Sequence, residues 1–203
     1  MIDERYISRL KKIGFDPHPC SSAEEVREAV SQLIAPGESV GFGGSMTTRG
    51  LGLVEHVRAG GHLVFDHWDE RFTKEETLKI RYFQKDADVF ISSVNAAAET
   101  GELVIADGFG NRIAGTTFGP RKVILVFGTN KITPDLTTAL TRSREIASVG
   151  RARSLRVATP CVSTGTCSDC DSPARICRVT MIIERPPLNT RVHTIVFDGE
   201  LGL

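Results

Sequence analysis

The sequence predicts an α/β fold, a mostly parallel sheet with helices on both faces and a strand-rich C-terminal extension. Three observations predict it. Short apolar runs recur between residues 39 and 127: S-V-G-F, H-L-V-F, D-V-F-I-S and K-V-I-L-V-F. Segments with apolar residues at helical spacing separate them. Strand and helix therefore alternate over 40–160, the pattern of a parallel sheet. With 203 residues, 40% of them hydrophobic, the chain fills one domain. That domain is expected over 1–203, with N-terminal helices over 1–36 and a cysteine-containing segment over 159–203.

The elements follow in order. Ile2, Tyr6, Ile7, Leu10 and Ile13 give a first helix over 3–13. A second begins at the Ser21/Ser22 cap and carries Val26, Val30, Leu33 and Ile34, and Pro36-Gly37 ends it. A strand over 39–42 leads through G-G-S-M-T-T to a helix over 48–58. A second strand covers 62–65. Thr73, with Glu76 three residues on, opens a charged helix to about residue 85 as a capping box. Further strands are expected at 88–92, 103–106 and 122–127. Thr133-Pro134 opens a helix to about residue 146. Residues 155–158 read as a strand. Residues 179–184 and 192–197 read as two more, joined through P-P-L-N-T-R as a hairpin.

Lys plus Arg and Asp plus Glu are 25 each, so the net charge is zero, and aromatic residues are 6%. This balance gives no reason to expect nucleic-acid binding. The polar start, M-I-D-E-R-Y, has no signal-like apolar core, and no window reaches a membrane span. A cytoplasmic location is expected. The charge is uneven, however: from Arg142 to Arg191 there are nine Arg, no Lys and four acidic residues. Such a basic segment favours anionic ligands and lowers thiol pKa.

Two loops fall where ligands bind in open parallel sheets, beyond the carboxyl ends of strands. The first, residues 41–48, offers Gly43, Gly44, Ser45, Thr47 and Thr48 before a helix. Glycine allows close backbone approach, and hydroxyls with free N–H groups suit a phosphate or carboxylate. It is neither a Walker A loop nor a G-x-G-x-x-G fingerprint. The second, residues 93–114, carries Asn95, Glu99, Asp107, Asn111 and Arg112 among small residues. A buried carboxylate there can act as base or nucleophile; a hairpin with solvated acids is the plainer alternative.

Four of the five cysteines form the run C-x5-C-x2-C-x6-C: Cys161, Cys167, Cys170 and Cys177. The C-x2-C pair is a local chelate of the kind zinc and iron–sulfur sites use. With no His inside the run, an all-sulfur site is the reading for a metal. Structural zinc and an iron–sulfur cluster both fit it, as do free redox-active thiols or disulfides. Ser172-Pro173 reads as a helix start reaching Cys177, and Arg153, Arg156, Arg175 and Arg178 offset negative charge for either metal. Cys20 stands apart as a free thiol. His18, His56, His62, His67 and His193 show no metal-ligand spacing; His18 reads as a surface residue and His67 as a surface or cleft residue.

The segments G-G-S-M-T-T-R-G-L, N-A-A-A-E-T-G-E-L-V, D-G-F-G-N-R-I-A, F-G-P-R-K-V-I-L-V-F-G-T-N-K-I and T-P-C together resemble the LUD (lactate utilisation) domain. The resemblance covers nearly the whole chain. It implies the fold shared by ribose-5-phosphate isomerases and CoA transferases, with a ligand cleft at the strand ends. It also implies a role in lactate or organic-acid utilisation, alongside other subunits of a lactate-oxidising, iron–sulfur system. Glu99 falls where CoA-transferase relatives carry a catalytic glutamate. The expected ligand is a small anionic metabolite. A contrasting expectation is a non-catalytic module that binds a sugar phosphate or CoA ester and carries a structural metal. Exposed C-terminal strands would permit a homodimer.

Overall fold

The computed structural model describes residues 2–203. Among the described residues ten strands form two sheets. The main sheet is built from β1 (Asp16–Cys20), β2 (Val40–Phe42), β3 (Val64–Asp66), β4 (Val89–Ser92), β7 (Lys122–Gly128) and β10 (Arg191–Phe197). Its order is β1-β10-β7-β4-β2-β3, with every neighbouring pair parallel. The second sheet holds β5 (Ala96–Ala98), β6 (Leu103–Asp107), β8 (Ile132–Thr133) and β9 (Val179–Ile183) in the order β8-β5-β6-β9. It is mixed: β5 runs parallel to β8 and antiparallel to β6, which is antiparallel to β9.

The layers follow from where apolar side chains point. Strand residues alternate between faces. Ile124, Val126 and Ile195 face α2 (Ala23–Leu33) and α4 (Leu53–Ala59), which contribute Val26, Val30, Leu53, Val54 and Val57. Val123, Leu125, Phe127 and Val196 face the other way. They meet α1 (Glu4–Lys12), through Tyr6 and Leu10, and the inner face of the second sheet, through Leu103 and Ile105. The second sheet's outer face buries Ala96, Ala98 and Val104 under α7 (Leu136–Arg142). On the expected capping box, Thr73 and Glu76 bond reciprocally and start α5 (Lys74–Asp86).

Several expectations are corrected. D-P-H-P-C forms strand β1, which its two prolines hid. Cys20 O accepts from Asp198 N–H (2.8 Å), so residues 16, 18 and 20 face β10. Pro17 and Pro19, without N–H groups, therefore face the open edge, where a sheet tolerates proline. The helix expected over 48–58 is two, α3 (Met46–Gly50) and α4, separated at Gly52 by a left-handed φ of 64°. Residues 93–114 are no simple loop, because they hold β5, β6 and the start of α6 (Asn111–Thr117).

The strand expected at 155–158 is absent. The helix begun at α7 instead runs through a π-helical stretch, Ser143–Ser148, into α8 (Val149–Leu155). Arg156, at φ 51°, ends it. The C-terminal hairpin does not form: β9 joins the second sheet while β10 inserts between β1 and β7. Seven register pairs tie β10 to β7, so β10 is interior, not an exposed edge.

One close approach fixes α5 on the sheet. A Cβ at Gly41 would lie 2.5 Å from the backbone oxygen of Gln84 and 2.8 Å from its Cα. Gly41→Ala is expected to destabilise the fold by about 2–4 kcal/mol, since backbone cannot yield as a flexible side chain does. Urea unfolding measures this; a change below about 0.5 kcal/mol would show that α5 is not seated so tightly.

Candidate functional site

A cleft of about 540 Å³ opens at the carboxyl ends of β2, β3, β4 and β7. This is where an open parallel sheet binds ligands. Gly44, Ser45, Met46 and Thr47 enter from the loop after β2, His67 and Trp68 from that after β3, and Ser93 to Asn95 from that after β4. Lys131 comes from the short 3-10 helix after β7. Asp107, at the end of β6, and Asn111 and Arg112 of α6 form the opposing wall.

Of the site residues expected from sequence, Gly44, Ser45, Thr47, Asn95, Asp107, Asn111 and Arg112 come together here. Gly43 and Thr48 stand behind the lining. Gly43 leaves room for Ser92 Oγ, which a Cβ would meet at 2.6 Å. Thr48 is buried, and its Oγ1 donates to Ser45 O (3.2 Å). Ser45 Oγ accepts Thr48 N–H at the start of α3, which orients the side chain and leaves its proton free to donate. Glu99 lies elsewhere. Its N–H bonds Thr133 O, and Ala98 N–H bonds Glu102 O, which closes a tight turn after β5. The Glu99 side chain is exposed there, outside the cleft lining.

The cleft's electrostatics are one-sided. Six basic side chains line it, Arg81, Arg112, Lys131, Arg151, Arg175 and Arg178, against one acidic side chain, Asp107. Among the described residues only Arg175 of these is held in a salt bridge, to Asp169 (2.9 Å). Arg112 is braced by the carbonyls of Ser93 (3.4 Å) and Ala106 and by Asn95 Oδ1 (3.1 Å). Asp107 accepts the backbone N–H groups of Gly108 and Arg112, both at 2.8 Å. Arg151 stacks on the Trp68 ring at 4.6 Å, and Arg81 on Phe109 at 4.2 Å.

Two buried bases are tuned by this setting. Lys131 Nζ donates to Thr47 Oγ1 (3.1 Å), Ser93 Oγ (3.2 Å) and Val94 O (3.1 Å). Burial, with Arg142 and Arg112 nearby, brings its pKa down to about 7. His67 is held by Gln84, whose Nε2 faces Phe42 O (2.6 Å) and His67 Nδ1 (2.8 Å). Phe42 O can only accept, so that end of the amide is the nitrogen, and Nδ1, nearer than Phe65 O (3.3 Å), accepts its other hydrogen. The ring proton is then on Nε2, beside Gly44. Burial first, then the Arg81 charge, lowers the His67 pKa to about 4. At neutral pH His67 is an uncharged donor.

Beside the cleft is a second, small cavity of about 20 Å³. Cys161, Cys167, Cys170 and Cys177 all line it, all half-buried and all free thiols. The expected helix at 172–177 is a turn; the helix is α9 (Pro160–Thr164), with Pro160 in its first turn. Arg175 ties the loop together. Its guanidinium donates to the carbonyls of Cys177 and Cys170, both at 3.0 Å. Glu145, in the π-helical stretch, accepts Cys167 N–H at 3.0 Å. Ser148, Arg175 and Ile176 line both cavities.

Sequence reading did not single out Lys131, Arg81 or Arg151. Lys131 had a signal, as a lone lysine directly after the strongest buried strand. Arg81 had none, because its helix reads as a charged surface, and Arg151 had only its place in the basic segment over 142–191.

His67 makes stability depend on pH. The unfolded chain's histidine protonates near pH 6.5, while the native ring binds no proton until about pH 4. Between those values acid favours the unfolded chain, so stability is lost as pH falls. The slope is at most about 1.4 kcal/mol per pH unit. His67→Gln keeps a donor and removes the titration, so urea unfolding between pH 7 and 4 should show a shallower slope for the variant. Equal slopes would mean that His67 is not held neutral.

The LUD domain family's profile matches residues 4–197. A DUF162 family protein from Deinococcus radiodurans has a similar solved structure, with 16% identity and a TM-score of 0.55, covering 96% of this chain and 94% of that chain. Weaker likenesses reach two Chaetomium thermophilum proteins at 15% identity. The match to eIF2B beta has a TM-score of 0.39, covering 57% of this chain and 44% of that one. The match to eIF2B delta has a TM-score of 0.37, covering 68% and 54%. No curated protein matches the chain. The family match spans nearly every described residue and agrees with the α/β fold: the chain belongs to the LUD domain family.

Proposed function

We propose that the cleft binds a small organic-acid anion and that Cys161, Cys167, Cys170 and Cys177 hold an iron–sulfur cluster in the adjoining wall. The chain would then serve as a subunit of an oxidoreductase system for lactate or related acids. One observation carries this reading: a cleft lined by six basic side chains and one acidic side chain shares Ser148, Arg175 and Ile176 with a four-cysteine cavity. Excess positive charge in a walled cleft concentrates anions. Adjacency to the thiols suits electron transfer.

The donor set bears on which metal. A single zinc, with bonds of about 2.3 Å, draws four sulfurs to within about 3.8 Å of one another. Among the described residues no three of these thiols lie within 4.8 Å of each other. A four-iron cluster gives each thiolate its own iron and so accepts a wider spacing. Such a cluster, when bound, supplies one-electron chemistry. The protein's own part is separate. Arg112 and Arg151 hold the carboxylate, and His67 Nε2–H donates to a ligand oxygen. Lys131, with its pKa near neutrality, gives or takes a proton there. Glu99, outside the cleft, has no part in this reading.

A second reading draws on size. A cleft of about 540 Å³ lies in the range of about 300–1,000 Å³ typical of sites for larger ligands, and exceeds what a three-carbon acid fills. A sugar phosphate or CoA ester in a non-catalytic module would use the same cations.

Thermal shift separates the two. A ligand at 100 times its Kd stabilises by about 2.7 kcal/mol, which for this size raises Tm by roughly 5–10 °C. L-Lactate or pyruvate should give that shift, and Arg112→Met should remove it. A shift with sugar phosphates or CoA esters alone would favour the second reading, and no shift with any of them would end both. Anaerobic purification tests the cysteines. A brown protein whose colour bleaches on reduction and is lost in Cys170→Ser is expected. A colourless, metal-free preparation would remove the cluster.

A further inference from the structure

The chain holds a third cluster, away from the cleft and the cysteines. Asp16 and His18 lie two residues apart on β1, so both project from one face of the strand. In register, Asp16 pairs with His193 of β10. Three atoms converge from these residues. Asp16 Oδ2 is 3.0 Å from His193 Nδ1, His193 Nδ1 is 3.2 Å from His18 Nε2, and His18 Nε2 is 3.6 Å from Asp16 Oδ2. Among the described residues they form the one group of three potential metal ligands within 4.8 Å of one another.

The triangle has the dimensions of a coordination face. An ion about 2.1 Å from each ligand sets them about 3.0 Å apart at octahedral cis positions and about 3.4 Å apart at tetrahedral ones. The three edges fall at or close to those values. A hydrogen-bonded cluster accounts for them less well. A single proton on His193 Nδ1 serves Asp16 and leaves His18 Nε2 only a share of it. A cation at the centre satisfies all three lone pairs at once.

The frame is rigid and the surroundings permit an ion. Pro17 and Pro19 flank His18 and stiffen β1 at the sheet edge. His193 is only 3% exposed, and its other nitrogen, Nε2, has no hydrogen-bond partner, so the ring's polar engagement is confined to this corner. The nearby Lys122 is already paired, with Glu38 at 2.8 Å, and does not compete for Asp16. The side chains of Asp16 and His18 remain 52% and 30% exposed, which leaves an entry path and room for water on the open side.

We propose that Asp16, His18 and His193 form a two-histidine, one-carboxylate site for a divalent transition-metal ion of the zinc, cobalt and nickel group. Two imidazoles and one carboxylate select such borderline ions over magnesium or calcium. The site is independent of the cysteine run and of the cleft.

Cobalt(II) titration of the intact protein under anaerobic conditions tests it, with His18→Ala and Asp16→Ala as variants. Both side chains are partly exposed, so both variants should fold, and circular dichroism checks this. The wild type should bind one more equivalent than either variant. That equivalent should add weak visible bands without the intense charge-transfer absorption that thiolate ligation gives. Affinity at this site should fall by more than about 100-fold in each variant, because loss of an outer-shell partner alone costs 10–100-fold. Equal stoichiometry and affinity in wild type and both folded variants would overturn the proposal. So would cobalt binding that carries thiolate absorption alone.

Discussion

Gln84 is wholly buried, and its amide cannot go unpaired without a cost of about 1–3 kcal/mol per group. The chain meets that demand with elements from four places. Nε2 reaches Phe42 O at the end of β2, Phe65 O in β3 and His67 Nδ1 just after β3, while Oε1 accepts from Asn111 at the start of α6. One side chain thus sets the relative position of two cleft loops and the wall facing them. It also fixes the tautomer of His67. The arrangement depends on Gly41, the one residue type that lets the backbone at Gln84 pack against β2 so closely.

With the frame fixed in this way, the cleft can hold charges that do little for the fold. Lys131 is desolvated with cations as neighbours, and the cost shows as a pKa drawn down to about 7. Arg81 keeps a buried Nε with no partner. Desolvated, unneutralised groups in a cleft are candidates for a functional site. The three acceptors around Lys131 and the carbonyls around Arg112 hold these cations in place without neutralising them. On the proposed function, an anion supplies their counterpart.

What the sequence disclosed tracks how local each signal is. The parallel strands β2, β4 and β7 were legible because a buried strand is a continuous apolar run. The glycine loop and Asn95, Asp107, Asn111 and Arg112 were legible because they punctuate those strands. The rest depends on pairing between distant segments. β1 reads as a proline-broken loop until β10 lies beside it. The strands of the expected hairpin go to separate sheets, because Ile183 faces the core against Leu103 while Val196 meets Val123 and Phe127. The histidines at 18 and 193 show no metal spacing along the chain, since 175 positions separate them. Glu99 was placed by analogy with relatives, and the turn after β5 turns it out to solvent.

The cysteine run was the loudest chemical signal in the sequence, but its meaning comes from the helix beside it. The long helix from α7 to α8 would be regular but for its π-helical stretch, where Ser148 Oγ bonds Ser143 O (2.7 Å). Such widened turns recur at functional sites. Here the stretch places Glu145 on the Cys167 amide and puts Ser148 in the wall of both cavities. On the other side of that wall, Arg175 faces the cleft while its donors grip Cys170 and Cys177. On the proposed function, a change in what the thiols hold would be felt at Arg175, and through it by an anion in the cleft. Ser148, Arg175 and Ile176 are thus the positions at which the two cavities meet.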